Sequence, residues 1–343
     1  MMSPTFMAAE IAGAGEAIAR QLAANAAVVA DLAATLRKRD PRMVVTIARG
    51  SSDHATLYFK HLVELRLGLV CASLGPSVAS LYRAPLKLSD TLALTISQSG
   101  RSPDIVAMQH AARAAGAFTM ALVNDAASPA ATDAEALLAL HAGEERSVAA
   151  TKTMLASLAA GSSLIAHWSA DKALIDALAD LPGRLAASLA PPPEAFVDAL
   201  AAARSLFVIG RGATLATAAE AALKLKETCA IHAEAFSSAE VLHGPAGIIE
   251  PGFPVIAFVP ADAARAGVLE TVDRLASFGA RPFLIDVVAH TTWPTLVAPA
   301  AGHDLLTPIL ALHAFYRLAE ATSRRRGRDP DAPPHLNKVT QTV

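Results

Sequence analysis

The stretch VTIARGSSDHATLYFKHLVE, Val45 to Glu64, aligns without a gap on FVIGRGATLATAAEAALKLKE from Phe207, placing Gly50 on Gly212 at an offset of 162 residues. The same offset carries LALTIS, Leu92 to Ser97, onto PVIAFV, Pro254 to Val259. Two matches at one displacement are hard to attribute to chance, so the chain reads as a duplicated domain. Its 343 residues suit about two domains of ordinary size. The run Pro191-Pro192-Pro193, with helical patterns on both sides, is where one would end and the other begin: 1–190 and 191–343.

Each copy has α/β character. MVVTI (43–47), LVCASL (69–74), TLALTI (91–96) and FTMALV (118–123) are continuous apolar runs of strand length. Helical periodicity covers Ala8 to Lys38, Ile105 to Ala115 and Ala150 to Trp168. Strands that are apolar throughout and alternate with helices belong to parallel sheets covered on both faces. The expected fold is two tandem doubly wound αβα sandwiches.

Composition narrows the function. A formal charge of −2 gives no electrostatic reason for a nucleic-acid partner, and the basic run Arg324 to Arg328 reads as the solvated end of a helix. Cys71 and Cys229 supply neither a disulfide framework nor a metal spacing, which fits a reduced, cytoplasmic setting. The segment Thr153 to Ala170 carries no Asp, Glu, Lys or Arg, yet its serines and His167 make it an interior helix rather than a membrane span. The N-terminal stretch has Glu10 and Glu16 where a secretory signal needs an apolar core. With hydrophobic residues at 53%, a homodimer is expected, with the Thr153–Ala170 helix a candidate for the contact.

The copies differ where chemistry would sit. After its strand the first has SQSGRS (Ser97 to Ser102), the second PADAAR. In open parallel sheets ligands bind beyond the carboxyl ends of strands. There GSSDH (Gly50 to His54) and SQSGRS together offer Ser51, Ser52, Ser97, Ser99 and Ser102, with Gln98. Two readings fit: ordinary helix caps, or a cradle of hydroxyls and backbone N–H groups for a phosphate. ERSVAATKTM, Glu145 to Met154, adds Ser147, Thr151 and Lys152 ahead of the apolar helix, again as cap or ligand loop. In the second copy Glu220, Lys224 and Glu227 fall at i, i+4 and i+7 on one helical stripe, either a solvated ion-pair face or proton-transfer equipment. IHAEAFSSAEVLHGP follows, dense in His232, Glu234, Ser237, Ser238, Glu240 and His243 but without metal-ligand spacing.

RGSSDHA, ISQSGRSPD, ERSVAATK, GRG, EAALKLKETCAIHAEAFSSAEVLHGP and the tail HLNKVTQTV, in this order, resemble the double sugar isomerase (SIS) domain family. Within it the chain is similar to the isomerase half of glutamine-fructose-6-phosphate aminotransferase and to stand-alone glucosamine-6-phosphate deaminases. The resemblance implies that Ser51, Ser97, Ser99 and Ser102 hold a sugar phosphate with Gln98 nearby, and that Ser52, Val148 and Ala149 line the sugar. It makes Glu227 the base that moves a proton between C1 and C2, with Lys224 beside the reacting hydroxyls. His243, supplied across a homodimer, would assist ring opening, and Lys338 would close over the ligand, with no metal or organic cofactor. Arg49 and Arg101 depart from the family pattern and would add positive charge near the phosphate. The tail VTQTV departs as well.

With only about forty residues before the first strand, no ammonia-supplying glutaminase domain is expected, so the implied reaction is deamination of glucosamine 6-phosphate to fructose 6-phosphate and ammonia. Simple phosphosugar isomerisation, deglycation of a fructosamine phosphate, or a non-catalytic sugar-phosphate sensor are the alternatives.

Overall fold

The computed structural model describes residues 4–338, so the tail at 339–343 lies outside the described residues. The apolar runs of the first copy form β1 (Met43–Ile47), β2 (Val70–Ser73), β3 (Thr91–Ser97) and β4 (Phe118–Val123), joined by β5 (Ala136–Ala139). All pair in parallel in the order β2-β1-β3-β4-β5, with Met43 beside both Val70 and Thr91. The second copy forms β6 (Ser205–Gly210), β7 (His232–Ser237), β8 (Pro254–Phe258), β9 (Arg281–Asp286) and β10 (Thr295–Val297), ordered β10-β9-β8-β6-β7. Displaced by 162 residues, β1 to β4 fall on β6 to β9. The helices Ser51–Leu67 and Pro103–Ala114 fall in the same way on Thr214–Cys229 and Arg265–Ser277. Element order and strand neighbours repeat, and the α/β fold with two tandem parallel sheets flanked by helices follows.

The equivalence extends into the cores. Val45 and Ile47 of β1 pack with Ala93, Ile105 and Met108, and their counterparts Phe207 and Ile209 of β6 pack with Val255, Val268 and Leu284. Alternate residues of a strand face one side, so each pair points at the same covering helix.

Two compact units result. The first-sheet unit comprises residues 16–145, 152–182 and 337–338, and the second-sheet unit residues 4–15, 146–151 and 183–336. Segments are thus exchanged between the copies, and Pro191-Pro192-Pro193 lies inside the second-sheet unit.

Two sequence expectations change. The Ala8–Lys38 pattern is three helices, Phe6–Ala12, Ala14–Ala24 and Ala26–Arg39, the last two bent by 61°. At the bend Asn25 donates its side-chain amide to Ala139 O at 2.7 Å. The charge-poor helix, Lys152–Trp168, is buried at every position except Lys152 and His167, against the helices Ala26–Arg39 and Ser51–Leu67 of its own unit. Its apolar surface is therefore spent inside the unit and does not offer the subunit contact proposed for it. The first half of IHAEAFSSAEVLHGP is the edge strand β7, which turns His232 and Glu234 outward. Among the described residues no single helix is long and apolar enough to cross a membrane, although the bent pair at 14–39 passes by length and composition.

Candidate functional site

In the first-sheet unit the chain leaves β1 toward β2 on one side while β3 pairs on the other, so the sheet reverses its winding between β1 and β3. A crevice opens at such a point beyond the strand ends. Two turns meet there. Gly50, at φ +56°, leads straight into the helix Ser51–Leu67, whose first turn holds Ser51 and Ser52, both half-buried. After β3, Gln98 to Ser102 lead into the helix Pro103–Ala114. Their contact across the crevice is the Arg49 guanidinium on the Asp104 carboxylate at 3.0 Å.

The hydroxyls are not all spent on capping. Ser102 occupies the N-cap position but makes no side-chain capping hydrogen bond, so its hydroxyl is not committed to the helix. Ser97 Oγ accepts the Gly100 N–H at 3.0 Å and Ser99 Oγ the Arg101 N–H at 3.3 Å. A hydroxyl that accepts still has its own proton to donate. The loop is thereby folded around oxygens whose protons can point at an anion. Gly100 is obligatory: at φ +62° a Cβ would lie 2.2 Å from Ser128 Oγ. The extra charge expected from the two arginines is largely offset, since Arg49 is paired to buried Asp104 and Arg101 to Asp125 at 2.6 Å.

At the equivalent place in the second-sheet unit, beyond β6 and β8, the hydroxyl cluster is absent. Asp262 Oδ1 accepts the Ala264 N–H, and Arg265 forks onto the buried Asp286 carboxylate with two bonds of 2.8 Å. The Asp286 carboxyl is pushed up by burial and more than returned by Arg265 and His290, ending below its ordinary range. This corner is closed by an ion pair.

What the second-sheet unit offers instead lies on its helix Thr214–Cys229, which packs along the helix Thr307–Arg325. Gly210 lets the two chain segments meet before this helix, because a Cβ there would sit 2.4 Å from Thr214 O. The stripe Glu220, Lys224, Glu227 is not a solvated face. Glu220 and Lys224 side chains are 0% exposed and Glu227 is 22% exposed. Lys224 Nζ donates to Glu227 Oε2 and stands 3.5 Å from Glu220 Oε1, which accepts the Tyr316 hydroxyl at 2.9 Å. A buried ammonium is tolerated only with such partners. The arrangement presents one half-buried carboxylate, braced by a buried cation, to whatever reaches the end of the stripe.

Val148 and Ala149 belong to the same unit as Glu227, in the inserted segment 146–151. His243 follows the short turn Glu240–Leu242 and is exposed. In the first-sheet unit, with the serines, Lys338 Nζ donates to the buried Glu145 carboxylate at 2.9 Å, and Glu145 also accepts the Thr153 N–H and hydroxyl. Burial raises the Glu145 carboxyl, but Lys338 and the two Thr153 bonds outweigh it and hold it below the ordinary carboxylate range. Sequence reading missed Glu145, Glu220 as a buried group, and Tyr316. Only Glu145 carried a signal, as the first residue of ERSVAATK. Among the described residues no cluster of His, Cys, Asp and Glu could hold a metal ion. A cavity of about 890 Å³ lined by Thr5, Glu320, Arg324 and Arg328 contains none of the nominated residues.

Comparison with known proteins identifies the fold. The profile described as SIS domain matches residues 37–167 and 199–305. Curated relatives include the glutamine–fructose-6-phosphate aminotransferases of Halobacterium salinarum, 34% identical over 85% of this chain and 50% of that protein, and Thermococcus kodakarensis, 31% identical over 98% and 58%. The chain spans about half the length of the curated relatives it matches. Among solved structures, a candidate phosphosugar isomerase from Silicibacter pomeroyi DSS-3 superposes with a TM-score of 0.91 at 49% identity, covering 96% of this chain and 100% of that one. A glucosamine-6-phosphate deaminase from Thermotoga maritima shares the fold, with a TM-score of 0.78 at 17% identity over 98% and 100% of the two chains.

Proposed function

The chain belongs to the SIS domain family, and from that premise we propose that it is a phosphosugar aldose–ketose isomerase whose specific reaction is the deamination of glucosamine 6-phosphate. The observation that carries this reading is the buried Lys224 held between Glu220 and Glu227. A sensor that only binds sugar phosphate gains nothing from burying an ammonium against two carboxylates, whereas moving a proton requires a carboxylate of fixed position and charge.

In the proposed reaction the serine turns at 51–52 and 97–102 hold the phosphate. His243, from a second copy of the chain, assists opening of the pyranose. Glu227 removes the proton from C2 of the open-chain aldehyde as the C1 oxygen takes up a proton from solvent, giving an enolamine. Return of the C2 proton to C1, with loss of one N–H proton to solvent, leaves C2 as an imine. Water adds to C2 and ammonia departs, so glucosamine 6-phosphate and water give fructose 6-phosphate and ammonia. Lys224 stabilises the negative charge that develops on the C1 oxygen and holds the Glu227 carboxylate in place. Val148 and Ala149 line the sugar, and Lys338 covers it.

The test is ammonia release from glucosamine 6-phosphate, with fructose 6-phosphate measured in parallel. Glu227→Gln should lower turnover by about 10²–10⁴-fold while sugar-phosphate binding persists. Full activity in that variant overturns the assignment of the base. Interconversion of hexose phosphates without ammonia would leave the isomerase and remove the deaminase, ammonia from a fructosamine phosphate alone would make it a deglycase, and binding without any turnover would make it a sensor.

A further inference from the structure

The segment 146–149 is held from two directions by residues that the proposed reaction does not use. Glu10, on the helix Phe6–Ala12, is buried, and its Oε1 accepts the backbone N–H of Arg146 and that of Ser147 at 3.3 Å. The next N–H, of Val148, donates to Asp331 O at 3.0 Å, and the Ser147 hydroxyl reaches Pro330 O at 3.5 Å. Asp331 closes the ring, since its two carboxylate oxygens accept the N–H groups of Phe6 and Met7, each at 2.7 Å. The Arg146 guanidinium lies 3.8 Å over the Phe6 ring. Three stretches far apart in sequence, all within the second-sheet unit, thus clasp one another.

A trans peptide is planar, with its C=O opposed to its N–H. Three successive N–H groups, of Arg146, Ser147 and Val148, are anchored on Glu10 and Asp331. These anchors fix the peptide planes that lead into Val148 and Ala149, the residues that the functional reading places against the sugar.

We propose that Glu10 and Asp331 are positioning residues that set the sugar-lining loop 146–149, so that an amino-hexose phosphate fits against it. This deepens the functional reading above and rests on it. Glu10 and Asp331 touch no part of the substrate. They act through the peptide planes of 146–148, and the phosphate is held elsewhere, by the serine turns.

The separation of roles supplies the test. Calorimetric titration with inorganic phosphate and with glucosamine 6-phosphate is compared for the parent chain, Glu10→Ala, Asp331→Ala and Glu10→Gln. Both alanine variants should bind inorganic phosphate as the parent does and bind the sugar phosphate about tenfold more weakly, a loss of one decade in Kd. Glu10→Gln should recover parental affinity, because an amide oxygen can accept the same two N–H groups. Turnover measured alongside should show the loss in KM rather than kcat. Unchanged sugar-phosphate affinity in both alanine variants overturns the inference, as does equal loss of both ligands, which would mark a general loss of structure. A parent chain that binds no hexose phosphate would instead remove the functional reading beneath it.

Discussion

Replacing Lys224 by Met keeps the bulk of the stem and removes the ammonium from a position where no water can substitute for it. Lys224 and Glu220 are both 0% exposed and their charged atoms stand 3.5 Å apart. At an effective dielectric near 20 that separation corresponds to an attraction of about 5 kcal/mol. Breaking a buried pair by removing one partner costs ~3–5 kcal/mol, because the other charge stays behind in low dielectric. Lys224→Met should therefore lower the urea unfolding free energy by about 3 kcal/mol or more. The companion experiment is Glu220→Gln with Lys224→Met. The neutral amide still accepts the Tyr316 hydroxyl and the only charge left without its partner is the 22%-exposed Glu227, so the double variant should recover ~1–3 kcal/mol relative to the sum of the single changes. If Lys224→Met costs under about 1 kcal/mol and the two changes simply add, the stripe is solvated in solution and the reasoning from burial fails.

Two further outcomes follow from local geometry. Gly100→Ala drives a Cβ to 2.2 Å from Ser128 Oγ at φ +62°, which should cost roughly 1–3 kcal/mol and displace Ser97 to Ser102; denaturation and inorganic-phosphate titration should both register it, and unaltered phosphate affinity would separate the turn from anion binding. His313, buried with one ring nitrogen on Ile11 O at 3.0 Å, is pushed from 6.5 to about 4 by desolvation, with Arg317 adding to the effect and the Ile11 bond opposing it. The folded state thus keeps this ring neutral while the unfolded chain protonates it first, so stability is fully present above pH 6.5 and falls by ~3 kcal/mol as the pH drops toward 4. His313→Leu should flatten that limb of the urea-midpoint profile between pH 6.5 and 4.5; equal slopes in the two proteins would mean that the ring is solvated.

How legible the molecule was depends on how local each cause is. β1, β3 and β4 are buried along nearly their whole length because both faces of the sheet are covered, and their apolar runs, broken only by Thr and Ser, stand out in any window. β5, with the residues ALLA, lacks β-branched side chains, and β7 alternates polar and apolar residues because it is an edge with one face in water. Neither resembles a buried strand, and both were missed. The serine turns were legible as candidates because a hydroxyl cluster between strand and helix is a local signal. Whether Ser102 caps its helix depends on where its hydroxyl points, which residue type and spacing do not determine. For Glu220 and Lys224 the spacing fixed a common stripe but not its environment. That is decided by the helix Thr307–Arg325, whose Tyr316 is 96 positions away from Glu220.

The duplication also indicates what the buried charges are for. Displaced back by 162 residues, Glu220 and Lys224 fall on Tyr58 and Leu62, both buried on the helix Ser51–Leu67. That helix packs on Lys152–Trp168 as Thr214–Cys229 packs on Thr307–Arg325, and Tyr58 meets Ser162 at 2.8 Å much as Glu220 meets Tyr316. In one copy the site is filled by a leucine and a neutral hydroxyl pair, so the architecture has no need of an ammonium there. An ion pair is a poor way to stabilise a core that an aliphatic side chain fills well. Where a fold departs from its own internal precedent at a cost in stability, the departure belongs to function rather than to folding. On this ground the Glu220, Lys224 and Glu227 stripe, rather than the more numerous titratable residues after it in sequence, is the place to look for the chemistry.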